Sequence, residues 1–244
     1  MRFVGSILLW SFAVLWGAIL AVAGLGLFVV FNPWVDPKRR AMAVLDHLWG
    51  KGLMLVLWGI HVEVRHRERL AGGPYVICPN HYSYADIIAM LGVMPPFKFV
   101  AKWFLFFLPP AATHMRMSGH VRQSLGEEGG VERVTRQCLA WLEKGVNILI
   151  FPESTRSTTL EVQRFKPLPF KLAQAAGVKV VPVAISGTHD VLPKGSFRYR
   201  FHAYVIIDVL EPIEVVGDPR TVAAEVRARI AAAVSRQQAE GRGD

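Results

Sequence analysis

Cysteine is nearly absent: the 244-residue chain has two, Cys78 and Cys138. Both fall inside apolar strand or helix patterns, so a reduced, cytosol-facing core is expected rather than a disulfide framework. No Cys/His spacing resembles a zinc site, and no metal is expected. Acidic residues are also short, with 19 Asp and Glu against 28 Lys and Arg for a net charge of +9. The shortage is local. No acid lies between Asp86 and Glu127, where Lys98, Lys102, Arg116 and Arg122 fall, and none between Glu161 and Asp190, where Arg164, Lys166, Lys171 and Lys179 fall. Two such tracts converging would make a positive site for an anionic ligand, and they also suit a surface facing anionic lipid. A metal-dependent phosphohydrolase would need more clustered carboxylates than Asp86 and Glu153. Neither a G-x-S-x-G elbow nor an internal repeat is present.

Charge of either sign is missing from Phe3 to Val35. Within that run, Ile7 to Phe31 is long enough to cross a hydrocarbon core of about 30 Å. Trp10, Trp16 and Trp34 suit interfacial depths. A signal peptide has an n-region in Arg2 and a cleavage-like Ala21-Val22-Ala23, but the apolar run continues well past it, which favours an anchor. Lys38, Arg39, Arg40 and Lys51 follow the segment, so the positive-inside rule places the body on the cytoplasmic face. A second apolar stretch, Met42 to Val62, is broken by Asp46, His47 and Lys51. It reads as an interfacial helix packed on the first, with a buried soluble helix as the alternative. Residues 1–60 are thus expected to form a two-helix membrane anchor, and residues 61–244 an α/β domain. A basic, apolar chain with such a segment points to anionic membrane lipid, not nucleic acid.

Beyond residue 60, apolar runs alternate with helical patterns. Strands are expected at His61–His66, Tyr75–Pro79, Phe97–Lys102, Asn147–Phe151, Val178–Ile185 and Ala203–Val209. Helices are expected over Ala85–Leu91, Gly130–Lys144, Leu168–Ala176 and from Pro219 onward, where Val222, Val226, Ile230 and Val234 make a stripe. One helical face of Gly130–Lys144 should carry Val131, Val134, Cys138, Trp141 and Leu142. The tail from Gln237 to Asp244 should fray. This order predicts a sheet with helices on both faces. Trp103 to Pro110 is too apolar for an ordinary loop, and suits core, an acyl-chain pocket or contact with a bilayer.

Two strand ends carry chemistry. Asn80-His81-Tyr82-Ser83-Tyr84-Ala85-Asp86 follows the Tyr75–Pro79 run. On a regular helix, His81 and Asp86 would sit about 140° apart, so they meet only if a turn precedes the helix. Asp86 then accepts the Nδ1 proton and leaves Nε2 as a general base. A purely structural hydrogen bond is the alternative. Phe151-Pro152-Glu153-Ser154-Thr155-Arg156-Ser157 follows the other strand. Cys78 has no cationic neighbour to activate it, and Ser83 no elbow, so neither is expected to be a covalent nucleophile.

With both stretches placed, residues 60–215 resemble the glycerolipid acyltransferase family that makes phosphatidic acid from 1-acyl-glycerol-3-phosphate. His81 with Asp86 matches its H-x4-D block. Lys102, Pro109 and Gly119–Arg122 resemble a loose second block, and Phe151–Ser157 resembles its F-P-E-G-T-R-S block, with Ser154 in place of glycine. Val181-Pro182-Val183 resembles the fourth, and Gly187-Thr188 with Leu192–Gly195 is also similar. The resemblance implies a glycerolipid-acyltransferase-like mixed sheet flanked by helices, behind the N-terminal anchor. It implies acyl transfer to the sn-2 hydroxyl of lysophosphatidic acid from acyl-CoA or acyl carrier protein, with no cofactor. His81 and Asp86 would be catalytic. Glu153, Thr155, Arg156, Ser157, Lys102 and Arg122 would bind substrate. A bacterial inner membrane is the implied setting. If the replaced glycine needs a positive φ, Ser154 strains the turn by roughly 1–2 kcal/mol. Other readings are an O-acyltransferase for another lysolipid, such as lyso-ornithine lipid, and a non-catalytic lipid-binding protein. Late lipid A acyltransferases carry a similar His–Asp pair but not the Phe-Pro-Glu-x-Thr-Arg block.

Overall fold

The computed structural model describes residues 2–57, 59–123 and 126–240. In chain order the elements are α1 (Arg2–Val30), α2 (Arg40–Val56), β1 (Ile60–Arg65), β2 (Val76–Pro79), α3 (Tyr84–Val93), β3 (Phe97–Lys102), α4 (Ala111–Ser118), β4 (Val121–Gln123), α5 (Gly130–Glu143), β5 (Asn147–Leu149), α6 (Leu168–Ala176), β6 (Val180–Ser186), α7 (Thr188–Val191), β7 (Ala203–Val209) and α8 (Pro219–Glu240). The strands form one mixed sheet in the order β1-β7-β6-β2-β5-β3-β4. Every neighbouring pair is parallel except β6 with β7.

Side chains alternate across each strand, and the two faces build two cores. Ile77, Leu149, Phe99 and Val181 pack under α3. Val76, Cys78, Ile148 and Val180 pack against Val134 and Cys138 of α5, Phe170 of α6 and Val226 of α8. Helices therefore cover both faces, as the alternation predicts. The closing-helix stripe Val222, Val226, Ile230 and Val234 is buried throughout. In α5 the buried face is Val134, Cys138 and Leu142, while Val131 is 46% exposed, one position outside the stripe expected of it. Helix α8 continues through Gln237, which is buried, to Glu240, and residues 241–244 lie outside the described ones.

Helix α1 is long and apolar enough to cross a membrane. It is also fastened along the body. Ser6 Oγ accepts from the Tyr199 amide at 2.9 Å, and Trp10 Nε1 donates to the Phe197 carbonyl at 2.8 Å. Gly17 sits against Pro110 and Trp49, and Gly24 against Met117 and Leu45. Its free side shows Leu8, Leu15, Val22 and Val29, each more than 60% exposed. The seven-residue spacing, two helical turns, puts these four on one side. Helix α2 packs on α1 and on α3. A Cβ on Gly50 would stand 2.6 Å from the Gly92 backbone nitrogen, so the two backbones touch there. Asp46 and His47, which interrupt the second apolar stretch, face protein. His47 Nδ1 lies 3.0 Å from the Leu91 carbonyl, and Asp46 is 5% exposed in a polar cluster with His114, Ser118 and His120.

Candidate active site

Strands β3, β5, β2 and β6 run parallel, so the loops leaving their carboxyl ends gather on one edge of the sheet, where ligands bind in α/β folds. Central strand β2 ends at Pro79. Asn80 extends its pairing, with Nδ2 donating to the Ile185 carbonyl at 2.8 Å and Oδ1 accepting from the Ile185 amide at 2.7 Å. The chain then turns before α3 begins, as the spacing requires. Ser83 is the N-cap: its Oγ accepts from the Ala85 amide and donates to the Leu192 carbonyl. Asp86 stands at the third helical position and reaches back, its Oδ2 accepting from the Tyr82 and Ser83 amides at 2.8 and 2.9 Å. The same oxygen meets His81 Nδ1 at 2.8 Å. A capping box therefore does two jobs. It starts the helix, and it holds a carboxylate against the imidazole.

With Nδ1 facing Asp86, Nε2 remains open to the cleft, which His81 lines. The ring is stacked on Phe151, centroids 3.9 Å apart. Ser83 is fully buried and committed to its cap, and burial pushes the Cys78 thiol up, so neither is placed as a nucleophile.

The second loop is bound to the first by its backbone. The Ser157 amide donates to the His81 carbonyl at 2.8 Å, and the His81 amide donates to Glu153 Oε1 at 2.8 Å. Glu153 Oε2 accepts from the Gln163 amide at 3.3 Å. Burial pushes the Glu153 carboxyl up to about 7, against the pull of those two amides. Between Glu153 and Arg156 the chain makes its sharpest excursion: Ser154 has φ 60°, the left-handed region. The turn therefore wants what the replaced glycine would supply, and a side chain there costs about 1–2 kcal/mol. The excursion brings Thr155 and Arg156 to the cleft. The Arg156 guanidinium lies 3.8 Å from the centre of the Tyr84 ring, and it makes no ion pair among the described residues.

The cleft has two characters. Lys102, Thr155, Arg156, Lys166 and Lys194 make one part polar and positive, while Ile87, Val100, Phe104, Leu105 and Leu168 make the other apolar. Its volume, about 160 Å³, is well below the several hundred Å³ that enclose a large ligand, so a long alkyl chain would extend out of it. Phe104 lies on that way out and belongs to the short 3-10 helix Trp103–Phe107. In that stretch Trp103, Phe107 and Leu108 are more than half exposed and only Phe106 is buried, so it is surface rather than core.

His81, Asp86, Lys102, Thr155 and Arg156 are brought together. Three other sequence-derived candidates are placed differently. Arg122 lies outside the cleft, in a neighbouring hollow with Arg116 and Trp141, and is paired with Glu127 at 3.2 Å. Strand alternation explains it, because the next residue, Gln123, is the one that lines the cleft. Ser157 is 1% exposed, and its hydroxyl donates to the Glu161 carbonyl. Glu153 holds loops rather than lining the cleft. Lys98 does not add to a surface field: it is 1% exposed, its Nζ lies 5.4 Å from the Trp141 ring, and burial lowers its pKa to about 8. Lys166 and Lys194 line the cleft although neither is among the site residues expected from the sequence. The signal for Lys166 is the second acid-free tract, and for Lys194 the Leu192–Gly195 stretch that is similar to the family.

Fold and cleft define the class: a layered α/β protein with a carboxylate-held imidazole and a positive, half-apolar cleft at the carboxyl edge of its sheet. The chain belongs to the acyltransferase family, whose model, described as Acyltransferase, matches residues 61–186. It is 30% identical over 191 residues to a chloroplastic 1-acyl-sn-glycerol-3-phosphate acyltransferase of Arabidopsis thaliana, covering 77% of this chain and 54% of that one. It is 30% identical over 204 residues to the 1-acyl-sn-glycerol-3-phosphate acyltransferase of Saccharomyces cerevisiae, covering 80% and 66%. The chain spans about half the length of curated relatives such as the Arabidopsis one. In fold it is similar to the crystal structure of the 1-acyl-sn-glycerophosphate acyltransferase PlsC of Thermotoga maritima, with TM-score 0.82, 24% identity, and 98% and 96% of the two chains covered.

Proposed function

We propose that this chain transfers a fatty acyl group from a thioester, acyl-CoA or acyl carrier protein, to the sn-2 hydroxyl of 1-acyl-glycerol-3-phosphate, giving phosphatidic acid. The observation that carries this reading is one cleft holding, among the described residues, an imidazole with its second nitrogen free and a guanidinium without a carboxylate partner. The acceptor hydroxyl is a poor nucleophile until it loses its proton. His81 Nε2 takes that proton as the oxygen attacks the thioester carbonyl, and Asp86 stabilises the imidazolium that forms. The carbon–sulfur bond then breaks and the thiolate leaves, with the imidazolium available to return the proton. Arg156, a planar fork of donors, grips the acceptor phosphate with Thr155 and Lys102 beside it. The names of the relatives support the same acceptor.

The apolar cleft wall leads to exposed Phe104, Trp103 and Phe107, and the bare side of α1 adds Leu8, Leu15, Val22 and Val29. We read residues 1–60 as the membrane anchor of the acyltransferase domain that follows, on the cytoplasmic face, with the alkyl chains of substrate and product staying in the lipid. The test is the purified full chain with labelled lysolipids and both thioester donors, scored by product. Phosphatidic acid should form from lysophosphatidic acid far faster than any product from lyso-ornithine lipid. Equal or preferred use of lyso-ornithine lipid, or no transfer with either donor, overturns the assignment.

A further inference from the structure

Beside Arg156 stands a cation from the other side of the central strand. Lys194 lies three residues past α7, in the segment that follows β6, whereas Arg156 follows β5. Its Nζ donates to the Arg156 carbonyl at 2.6 Å and lies 3.5 Å from Thr155 Oγ1. Two residues earlier, the Leu192 carbonyl accepts from Ser83, the cap of the helix that carries Asp86. The Lys194 segment is thus hydrogen-bonded to both loops of the site. The lysine is half-buried, lines the cleft and has no ion pair among the described residues. An ammonium has three donors, and two of them point at the 155–156 turn. The third, with the full charge, is left for the cleft.

We propose that Lys194 is a specificity-determining residue: it buttresses the strained Ser154–Arg156 turn and supplies a second positive contact to the anionic headgroup held by Arg156. This rests on the acceptor reading above and adds a residue to it. The geometry separates two duties. A turn prop affects every acceptor alike, whereas a headgroup contact matters only for an acceptor that carries the anion.

Wild type, Lys194→Met and Lys194→Arg are compared with 1-acyl-glycerol-3-phosphate and with 1-acyl-glycerol, which lacks the phosphate. Binding of glycerol 3-phosphate is followed in parallel by amide hydrogen exchange across residues 151–157. Loss of one charge-assisted contact should raise KM for the phosphorylated acceptor about 10- to 100-fold, with kcat within a few-fold. Turnover of 1-acyl-glycerol should fall only by the few-fold that loosening the turn costs every acceptor, since it makes no anion contact. Lys194→Arg should recover most of the KM, and protection of 151–157 by glycerol 3-phosphate should weaken in Lys194→Met alone. Equal losses on both acceptors, or unchanged KM and protection in Lys194→Met, overturn the proposal. If wild type fails to acylate either lysolipid yet shows Lys194-dependent protection by glycerol 3-phosphate, the acyl-transfer reading falls and the anion contact stands.

Discussion

Of three short His–Asp pairs among the described residues, His66–Asp208 at 2.8 Å has a half-exposed imidazole, and the other two are largely covered. His81 Nδ1 meets Asp86 at 2.8 Å, and His114 Nε2 meets Asp46 at 2.7 Å. The imidazoles are similarly covered, at 12% and 15% exposure. What separates them is the other ring nitrogen. In His81 it opens on the cleft, beside Arg156 and Lys194. In His114 it is buried and has no hydrogen-bond partner among the described residues. Asp86 is surrounded by backbone donors of its own capping turn, while Asp46 is met by His114 and Ser118 of α4 and by His120 just before β4, with His120 at 3.2 Å and Ser118 at 3.3 Å. Burial works against ionisation of Asp46, but the His120 and His114 contacts outweigh it and hold the carboxyl well below its usual range. Burial also pushes the His120 imidazole down, against the pull of Asp46. A short hydrogen bond to a carboxylate therefore does not make a base. Access for the second nitrogen does.

Breaking the two carboxylates should give opposite phenotypes. Asp86→Asn removes the group that fixes the His81 tautomer, and should cost about 10²–10⁴-fold in kcat for acyl transfer while the purified protein still melts cooperatively. Asp46→Ala should leave turnover per folded molecule within a few-fold. It strips two buried imidazoles of their common acceptor, and a urea titration should show about 3–5 kcal/mol lost. If Asp46→Ala instead abolished turnover at full stability, the two pairs would have been assigned the wrong way round.

Next to Asp46 lies Lys98, buried with no hydrogen-bond partner for its ammonium among the described residues. Its folded pKa, about 8, is below its ordinary 10.5. The unfolded chain holds the proton more tightly, so stability should rise as pH climbs from about 8 to 10.5, as far as this group is concerned. Lys98→Met should flatten that rise and raise stability by about 1–3 kcal/mol at neutral pH. A loss of stability would mean that the ammonium has a partner in solution. The smallest effect should come from Ser154→Gly. Relief of the left-handed serine should be worth about 1 kcal/mol or less once the looser unfolded chain is counted, measured as a shift in the unfolding midpoint.

Legibility in the sequence followed distance along the chain. The sheet was readable because its buried parallel strands are short Val- and Ile-rich runs, such as Val180–Ile185, separated by helical stripes. The His81–Asp86 pair was readable because a capping turn makes it local. Helix α4 and strand β4 were not anticipated, since the apolar Trp103–Pro110 run obscures where that surface segment ends. The polar breaks in the second apolar stretch suggested a bilayer interface. Asp46 faces His114 and His120, 68 and 74 residues away, and no local pattern encodes that meeting. Arg122 matched a motif block, but strand parity turns it from the cleft and presents Gln123. Lys194 reaches the turn from 38 residues beyond Arg156. Such a contact exists only after β6 has paired beside β2.

The most direct measurement is the rate of acyl transfer from labelled acyl thioester to 1-acyl-glycerol-3-phosphate by purified His81→Ala and His114→Ala, each against wild type at matched folded concentration. The account predicts that His81→Ala loses at least about a hundredfold and that His114→Ala stays within a few-fold. Turnover by His81→Ala within a few-fold of wild type would contradict it.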